Sequence, residues 1–188
     1  EQADEHYFLK TEDASKGNHY DAGNHYDEEL LKKLDEILPE ADASSSSHYR
    51  YRKLFVVLHT YGSHFNYQER YPRSFAYFKP DSRSEAKPEN RQDLLNAYDN
   101  TIRYTDYILH GIVERLQKWE KLQAKALAKT QAKTDGATCQ PTSAMLYTSD
   151  HGENIFDDDR RLFLHAAPKA SDYELHVPFI IWTSEGFG

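Results

Sequence analysis

Residues 144–153 read Ala-Met-Leu-Tyr-Thr-Ser-Asp-His-Gly-Glu, and this stretch decides the fold. It begins with a short apolar run, which is typical of a strand buried in a parallel sheet. Asp150 and His151 follow where the run ends, and Gly152 allows the backbone to turn sharply beside them. An acid next to a histidine at a strand end fits an ordinary turn as well as a metal site, so the interpretation depends on the rest of the chain.

The composition limits the classes of function. With 188 residues, the chain is long enough for one sizeable core and predicts a single domain. Its net charge of -8 argues against nucleic acid as a partner and against general affinity for anionic membranes. No stretch is apolar for long enough to span a bilayer, so we expect the chain itself to be soluble. The single Cys139 excludes an internal disulfide and a cysteine-based zinc cage.

Hydrophobic periodicity predicts helices and strands in alternation. Apolar residues at helical spacing predict a helix over residues 27–38 with Asp27 as its N-cap, and a long helix over residues 94–119 with a solvated continuation to residue 133. Together with the run at residues 144–148, short apolar runs predict strands at residues 53–58 and 177–182. This order predicts an α/β fold with a largely parallel sheet, in which ligands gather at the carboxyl ends of the strands.

Other segments are predicted to lie outside regular structure. Residues 1–26 are polar and contain a short His-Tyr-Asp repeat, which predicts a flexible surface segment. The serine-rich residues 43–48 predict a flexible connection, and Asp135-Gly136 is predicted to end the long helix. The acidic run at residues 157–159 predicts a solvated loop, because it lacks the ligand spacing of a calcium-binding loop.

Three loops each present histidine after an apolar run. His59 and His64 follow the first predicted strand, His151 follows the second, and His165 follows Leu162-Phe163-Leu164. A single histidine on such a loop is more often a surface residue than a ligand. Three such histidine-bearing loops in one α/β chain, however, indicate a shared site. We expect Glu153, in contrast, to hydrogen-bond a neighbouring loop rather than bind a metal.

The order of these motifs resembles a known family. The motifs are residues 56–64, Arg70-Tyr71-Pro72, residues 147–153, Leu164-His165 and residues 176–179. They resemble the catalytic domain of bacterial phosphoethanolamine transferases that modify lipid A or lipopolysaccharide core, in the sulfatase-like branch of the alkaline phosphatase superfamily. The resemblance covers residues 27–185 and implies an α/β/α sandwich of that type.

The resemblance also implies a zinc site and a reaction. Asp150 and His151 correspond to zinc ligands, while His64 and His165 correspond to the pair that binds a second zinc or the substrate phosphate, with His59 near the pocket. The implied reaction moves phosphoethanolamine from a phospholipid donor to lipid A or a core sugar through a covalent Thr intermediate. The implied location is the periplasmic face of the bacterial inner membrane.

The sequence departs from the family pattern ahead of the first helix. The family carries a Thr nucleophile, a Glu zinc ligand and membrane helices upstream of a helix such as residues 27–38, and none of these motifs is found in this sequence. We therefore expect residues 1–188 to form the carboxyl-terminal portion of a catalytic domain. The membrane attachment would lie in an absent amino-terminal segment, and the isolated chain would be inactive.

Two other functions fit parts of the sequence. A sulfatase or phosphodiesterase of the same superfamily is one, although Cys139-Gln140-Pro141 lacks the Arg that completes the sulfatase motif. The other is a noncatalytic binding module that uses the aromatic loop at residues 61–78 with Arg70 and Arg73. Aromatic packing against a neighbouring helix would explain that loop equally well.

Overall fold

The computed structural model describes residues 26–38, 53–131, 140–165 and 168–187. Four sequence predictions lie outside these residues: the flexible segment 1–26 except its last residue, the connection at 43–48, the helix end at Asp135-Gly136, and Cys139.

Helices and short strands alternate along the described part of the chain. The helices are α1 (Glu28–Ile37), α2 (Arg91–Gln131) and α3 (Asp172–Leu175), and the strands are β1 (Ala144–Thr148), β2 (Asn154–Ile155), β3 (Phe163–Leu164) and β4 (Phe179–Thr183). Single turns of 3-10 helix occur at Tyr67–Glu69, Arg73–Phe75 and Pro88–Asn90. In these described segments, no helix combines the length and the apolar character that crossing a membrane requires.

The long helix α2 is the scaffold on which the other segments pack. One face is buried at positions three and four residues apart, and it presents Leu94, Ala97, Thr101, Tyr104, Ile108 and Ile112. Leu31 and Leu34 of α1 pack against the carboxyl-terminal part of this face. Both predicted helices are therefore confirmed. Ile102 fits the same apolar spacing in the sequence, but it is 49% exposed because it lies beside the buried row.

The described strands pair in antiparallel fashion. β1 pairs with β4, with Leu146 opposite Ile181, and β2 pairs with β3. β1 has the predicted bounds, and β4 begins two residues later than predicted, after Pro178. Parallel pairing, which the sequence predicted for most of the sheet, does not occur among the described strands, because the chain returns to β1 through β4 in the opposite direction.

The predicted strand at residues 53–58 does not form a ladder in the described structure. Phe55 is 90% exposed and Val57 is 75% exposed, whereas Leu58 packs against the core beside α1 and α2. A strand needs a neighbour that accepts and donates its backbone hydrogen bonds. The apolar run correctly indicated an extended segment, but no described strand pairs with it.

The aromatic loop packs mainly against α2. Tyr67 and Tyr71 are buried, at 0% and 1% exposure. Asn100 of α2 accepts hydrogen bonds from the backbone N–H groups of Tyr77 and Phe78, each at 2.9 Å, and so fixes the end of the loop. These contacts show that most of the loop packs against the core. The sequence had left open whether the loop packs or binds a partner.

Asp27 fixes the histidine loop instead of capping its own helix. It occupies the N-cap position of α1, as predicted, but its side chain makes no cap hydrogen bond. Its two carboxylate oxygens accept hydrogen bonds from the N–H groups of Tyr61 and Gly62, at 2.8 and 2.9 Å. Gly62 has a φ of 57°, which a glycine adopts without strain. The start of α1 therefore sets the conformation of the loop that carries His59 and His64.

We predict that Asp27→Ala lowers the free energy of unfolding by about 2–3 kcal/mol, because two backbone donors lose a charged acceptor. Urea denaturation measures this loss, and faster hydrogen exchange at the Tyr61 and Gly62 amides locates it. The matched control is Asp35→Ala on the same helix, which removes an exposed ion pair with Arg115 and should cost about 0–1 kcal/mol. Equal losses of unfolding free energy in the two variants, with unchanged hydrogen exchange at Tyr61, would show that Asp27 does not hold the loop.

Candidate metal site

The pairing of β2 with β3 brings two of the predicted loops together. Asn154 lies opposite Leu164 and Ile155 lies opposite Phe163. One step further along this register, Glu153 faces His165. The antiparallel register thus unites the segment after β1 with the segment after β3.

His151 and His165 form the centre of the cluster. Their ring centroids are 3.7 Å apart with an angle of 32° between the ring planes. One possible ligand atom from each of His151, Glu153 and His165 lies within 4.8 Å of the others. Two imidazoles and a carboxylate are a donor set that suits zinc and other borderline divalent ions. These described residues could therefore bind a metal ion.

The two imidazole nitrogens of His151 have different surroundings. Nδ1 lies 2.9 Å from the backbone carbonyl oxygen of Gly152, and because a carbonyl oxygen only accepts, Nδ1–H is the donor of this hydrogen bond. Nε2 lies 3.8 Å from Oδ2 of Asp150, whose side chain is 87% exposed. His151 is therefore oriented to offer Nε2 on the same side as the Asp150 carboxylate.

Asp150 is held in its charged form. Partial burial raises the pKa of its carboxyl group, but backbone hydrogen bonds and the nearby His151 and His165 outweigh this effect and lower the pKa below its ordinary value. One of these bonds comes from the His151 N–H to Oδ1, at 3.0 Å. An ionised, exposed carboxylate beside a histidine nitrogen is available for a cation.

Glu153 lies behind the two histidines, in the interior. Its side chain is 4% exposed, Oε1 lies 3.5 Å from Nδ1 of His165, and the hydroxyl of Tyr67 donates a hydrogen bond to Oε2. Burial, followed by the charge of Glu153, raises the pKa of Tyr67 well above its ordinary value and raises the pKa of Tyr98 to about 12. Both phenols therefore stay protonated at neutral pH. The prediction that Glu153 hydrogen-bonds a neighbouring loop is confirmed.

The predicted residues His59 and His64 do not join this cluster in the described structure. Both side chains are exposed on the loop that Asp27 holds. Nδ1 of His64 lies 2.5 Å from the Phe65 carbonyl oxygen, and Arg70 donates a hydrogen bond to the carbonyl oxygen of His64 at 3.1 Å. The structure thus brings together His151 and His165, places Asp150 beside them, and leaves His64 and His59 on a separate, anchored loop.

Several residues that hold the cluster were not predicted from the sequence. Asn154 donates to the carbonyl oxygen of Leu164 at 2.9 Å and to the carboxylate of Glu174. Ser171 donates to Oδ1 of Asn154 at 2.6 Å and also accepts from the N–H of Glu174, which caps α3. The spacing Ser171-x-x-Glu174 is a helix-start signal that could have indicated α3. These hydrogen bonds join β2 to β3, the strand that precedes His165, and join β2 to the start of α3.

Gly152 lets the motif lie directly against α3. Its N–H donates to the carbonyl oxygen of Glu174 at 2.8 Å, and a Cβ atom at this position would overlap the carbonyl oxygen of Tyr173. The close approach of two backbones, rather than an unusual φ, is what requires glycine here.

We predict that Gly152→Ala lowers the free energy of unfolding by about 3 kcal/mol, because the new methyl group meets backbone that has little room to move. It should also separate the rings of His151 and His165. Chemical denaturation and NMR contacts between the two rings measure these effects. The control is Gly186→Ala, whose Cβ would meet no atom within 4 Å and which should cost about 1–2 kcal/mol for its positive φ while leaving the rings in contact. Unchanged ring contacts in the Gly152 variant would show that the close packing of Gly152 against α3 is not required for the contact between His151 and His165.

Comparison with known proteins identifies the relatives of this chain. The sulfatase family profile matches residues 2–124. The Kdo(2)-lipid A phosphoethanolamine 7''-transferase of Escherichia coli K12 is 31% identical over 137 residues, which are 72% of this chain and 20% of that protein. The phosphoethanolamine transferase EptA of Helicobacter pylori is 33% identical over 166 residues, which are 86% of this chain and 26% of that protein. The chain thus spans about a fifth to a quarter of the length of these curated relatives.

Solved structures agree with these matches. The carboxyl-terminal periplasmic domain of phosphoethanolamine transferase EptC from Campylobacter jejuni is 30% identical with a TM-score of 0.64, over 85% of this chain and 44% of that one. The soluble domain of lipooligosaccharide phosphoethanolamine transferase A from Neisseria meningitidis is 29% identical with a TM-score of 0.64, over 86% and 41%. The predicted sulfatase-like fold class is confirmed. The chain belongs to the sulfatase family, and its relatives are phosphoethanolamine transferases.

Proposed function

We propose that this chain supplies the metal and phosphate sites of a phosphoethanolamine transferase that uses zinc. The observation that carries the proposal is the contact between His151 and His165, with rings 3.7 Å apart and Asp150 beside them. These residues come from two of the three loops in which the sequence predicted site residues, and His59 and His64 lie on the third. The relatives support the reaction class, since they are named as transferases of phosphoethanolamine.

Asp150, His151 and His165 would hold the zinc ion in this proposal. The nitrogen Nδ1 of His151 is engaged by the Gly152 carbonyl oxygen, so Nε2 is the nitrogen left for a metal. Asp150 adds an ionised oxygen on that side of the ring. A bound zinc ion would withdraw charge from the phosphoryl oxygens and favour the alkoxide form of a nucleophile.

The loop with His59 and His64 would bind the phosphoryl group of the substrate. Both side chains are exposed, and the Asp27 carboxylate fixes the backbone between them. Nδ1 of His64 faces the Phe65 carbonyl oxygen, which leaves Nε2 to contact a phosphate oxygen. Arg70 lies 3.9 Å from the ring centroid of Tyr61 and so stiffens the same loop.

The donor would be a phospholipid and the acceptor lipid A or a core sugar of lipopolysaccharide. In the first step the hydroxyl oxygen of a Thr from outside this chain would bond to phosphorus, the bond from phosphorus to the lipid oxygen would break, and the Thr proton would pass to the leaving lipid alcohol. In the second step an acceptor hydroxyl oxygen would bond to phosphorus, the bond from phosphorus to the Thr oxygen would break, and the acceptor's proton would pass to the released Thr. We propose that residues 1–188 act as the carboxyl-terminal portion of such a catalytic domain, at the periplasmic face of the bacterial inner membrane. The chain covers 44% of the Campylobacter domain, which supports a portion of such a domain rather than a whole one.

We predict that the isolated chain binds zinc weakly and that His151→Ala and His165→Ala each remove the binding. Competition titration against a chromogenic chelator measures the affinity, and elemental analysis measures the content. His110→Ala is the matched control, because His110 is an exposed histidine on α2 whose neighbour is Glu114. If zinc still binds to both site variants, the zinc ion does not bind at the His151–His165 cluster.

We also predict that the isolated chain shows no transfer, because the proposed reaction uses a Thr nucleophile from outside it. In a longer protein that includes this chain, alanine at Asp150, His151, His64 or His165 should reduce phosphoethanolamine addition to lipid A to background. Mass spectrometry of extracted lipid A reads out the product, with His110→Ala as control. Robust turnover by the isolated chain would contradict the external nucleophile, and full transfer by the His64 variant would contradict its role at the phosphate.

A further inference from the structure

Glu153 is a buried carboxylate with few partners. Its side chain is 4% exposed, and within the described part of the chain its one ion-pair partner is His165, at 3.5 Å. Its other oxygen accepts the hydroxyl hydrogen of Tyr67, a residue with 0% exposure. Burying a carboxylate is costly unless hydrogen bonds and a positive group compensate it. The contacts at Glu153 therefore call for an explanation beyond packing.

The orientations of the two histidines separate Glu153 from the metal ligands. Nδ1 of His151 faces the Gly152 carbonyl oxygen, and Nδ1 of His165 faces the Glu153 carboxylate. In both rings Nδ1 is thus the nitrogen that faces a protein oxygen, at 2.9 Å in His151 and at 3.5 Å in His165, and Nε2 is the nitrogen available to a metal. Asp150 lies on the Nε2 side of His151, whereas Glu153 contacts the Nδ1 side of His165. Glu153 belongs behind the site, although its distance from the imidazoles alone would also fit a ligand.

We propose that Tyr67 and Glu153 form a positioning pair for His165. Tyr67 holds the carboxylate, and the carboxylate holds the Nδ1–H of His165, so that Nε2 is presented to zinc. This inference rests on the proposed function, because it assigns a role to residues around that metal site. A carboxylate that orients a ligating histidine also makes the ring a stronger donor to the metal.

The geometry around Tyr67 suits a fixed anchor. Its ring lies edge-on to Phe65 at 5.3 Å and to Tyr98 at 5.2 Å between centroids, and it belongs to a buried cluster with Leu94 and Ile155. A phenol confined on several sides places its hydroxyl in one position. The 3.5 Å separation of Glu153 and His165 is long for a hydrogen bond. Such contacts often shorten when a site is loaded, so we expect this one to tighten with zinc.

Glu153→Gln and Tyr67→Phe test the pair, with Tyr71→Phe as the matched control. Gln keeps the shape of Glu but replaces one acceptor oxygen with an N–H donor and removes the charge, so it cannot accept hydrogen bonds from both Tyr67 and His165. Tyr71 is another buried tyrosine, with 1% exposure, whose hydroxyl donates to Asp81 instead. Tyr71→Phe thus reproduces the loss of a buried hydroxyl without touching Glu153.

The measurements are the zinc affinity and the imidazole nitrogen shifts of His165 in the metal-free chain. We expect Glu153→Gln to weaken zinc binding about 10–100-fold and Tyr67→Phe to weaken it by a smaller factor. Both should move His165 away from the form protonated at Nδ1. Tyr71→Phe should change neither quantity. If Glu153→Gln fails to fold, Tyr67→Phe and its nitrogen spectrum decide the question.

Three results would overturn the positioning pair. The first is an unchanged His165 spectrum together with unchanged zinc affinity in Glu153→Gln and Tyr67→Phe. The second is a loss of zinc in Glu153→Gln as complete as in His151→Ala without a change at His165, which would make Glu153 a ligand. The third is an equal effect of Tyr71→Phe. If the unsubstituted chain binds no zinc, the proposed function fails, and the His165 spectrum alone still tests the contact with Glu153.

Discussion

Asn154 and Ile155 pair with Leu164 and Phe163, and this short antiparallel ladder sets the geometry of the whole candidate site. Its register places Glu153 opposite His165 and brings His151 against the same ring. The ladder is too short to be stable alone. It persists because Asn154 bonds to Leu164 and Glu174, and because Gly152 lets the strand lie against α3. Leu164, with a φ of 64°, takes an unfavourable backbone conformation immediately before His165.

Charge distribution separates the front of the site from its interior. The exposed, ionised Asp150 lies at the front, where a cation can arrive from solvent. The buried Glu153 lies in the interior, where low polarity strengthens its attraction to an imidazole and to a phenol hydroxyl. Two carboxylates three residues apart in the sequence thus have different surroundings, and the roles that we propose for them follow from this difference in burial.

Much of the fold and part of the site could be predicted from the sequence. Helices α1 and α2 follow from periodicity, β1 follows from its apolar run, and His151 and His165 follow from their places after apolar runs. The prediction of a strand at residues 53–58 was wrong. An apolar run indicates a segment that a complete sheet could bury, but it does not indicate that a partner strand is present. β1 and β4 have the same limit, since Leu146, Phe179 and Ile181 are exposed. An apolar side chain on a strand is buried only where another segment packs over it, and the sequence pattern does not show where that happens. Tyr67 could not be predicted at Glu153, because the two are 86 residues apart and only tertiary packing joins them.

We propose above all that a zinc ion binds on the Nε2 side of His151 and His165, together with Asp150, and that Glu153 lies behind the two rings. A crystal structure of the chain soaked in zinc, with anomalous scattering recorded at the zinc edge, tests this most directly. The account predicts one zinc peak about 2.0–2.2 Å from Nε2 of His151, Nε2 of His165 and an oxygen of Asp150, with Glu153 still bonded to Tyr67. A zinc peak coordinated by Glu153, or none at these histidines, would contradict it.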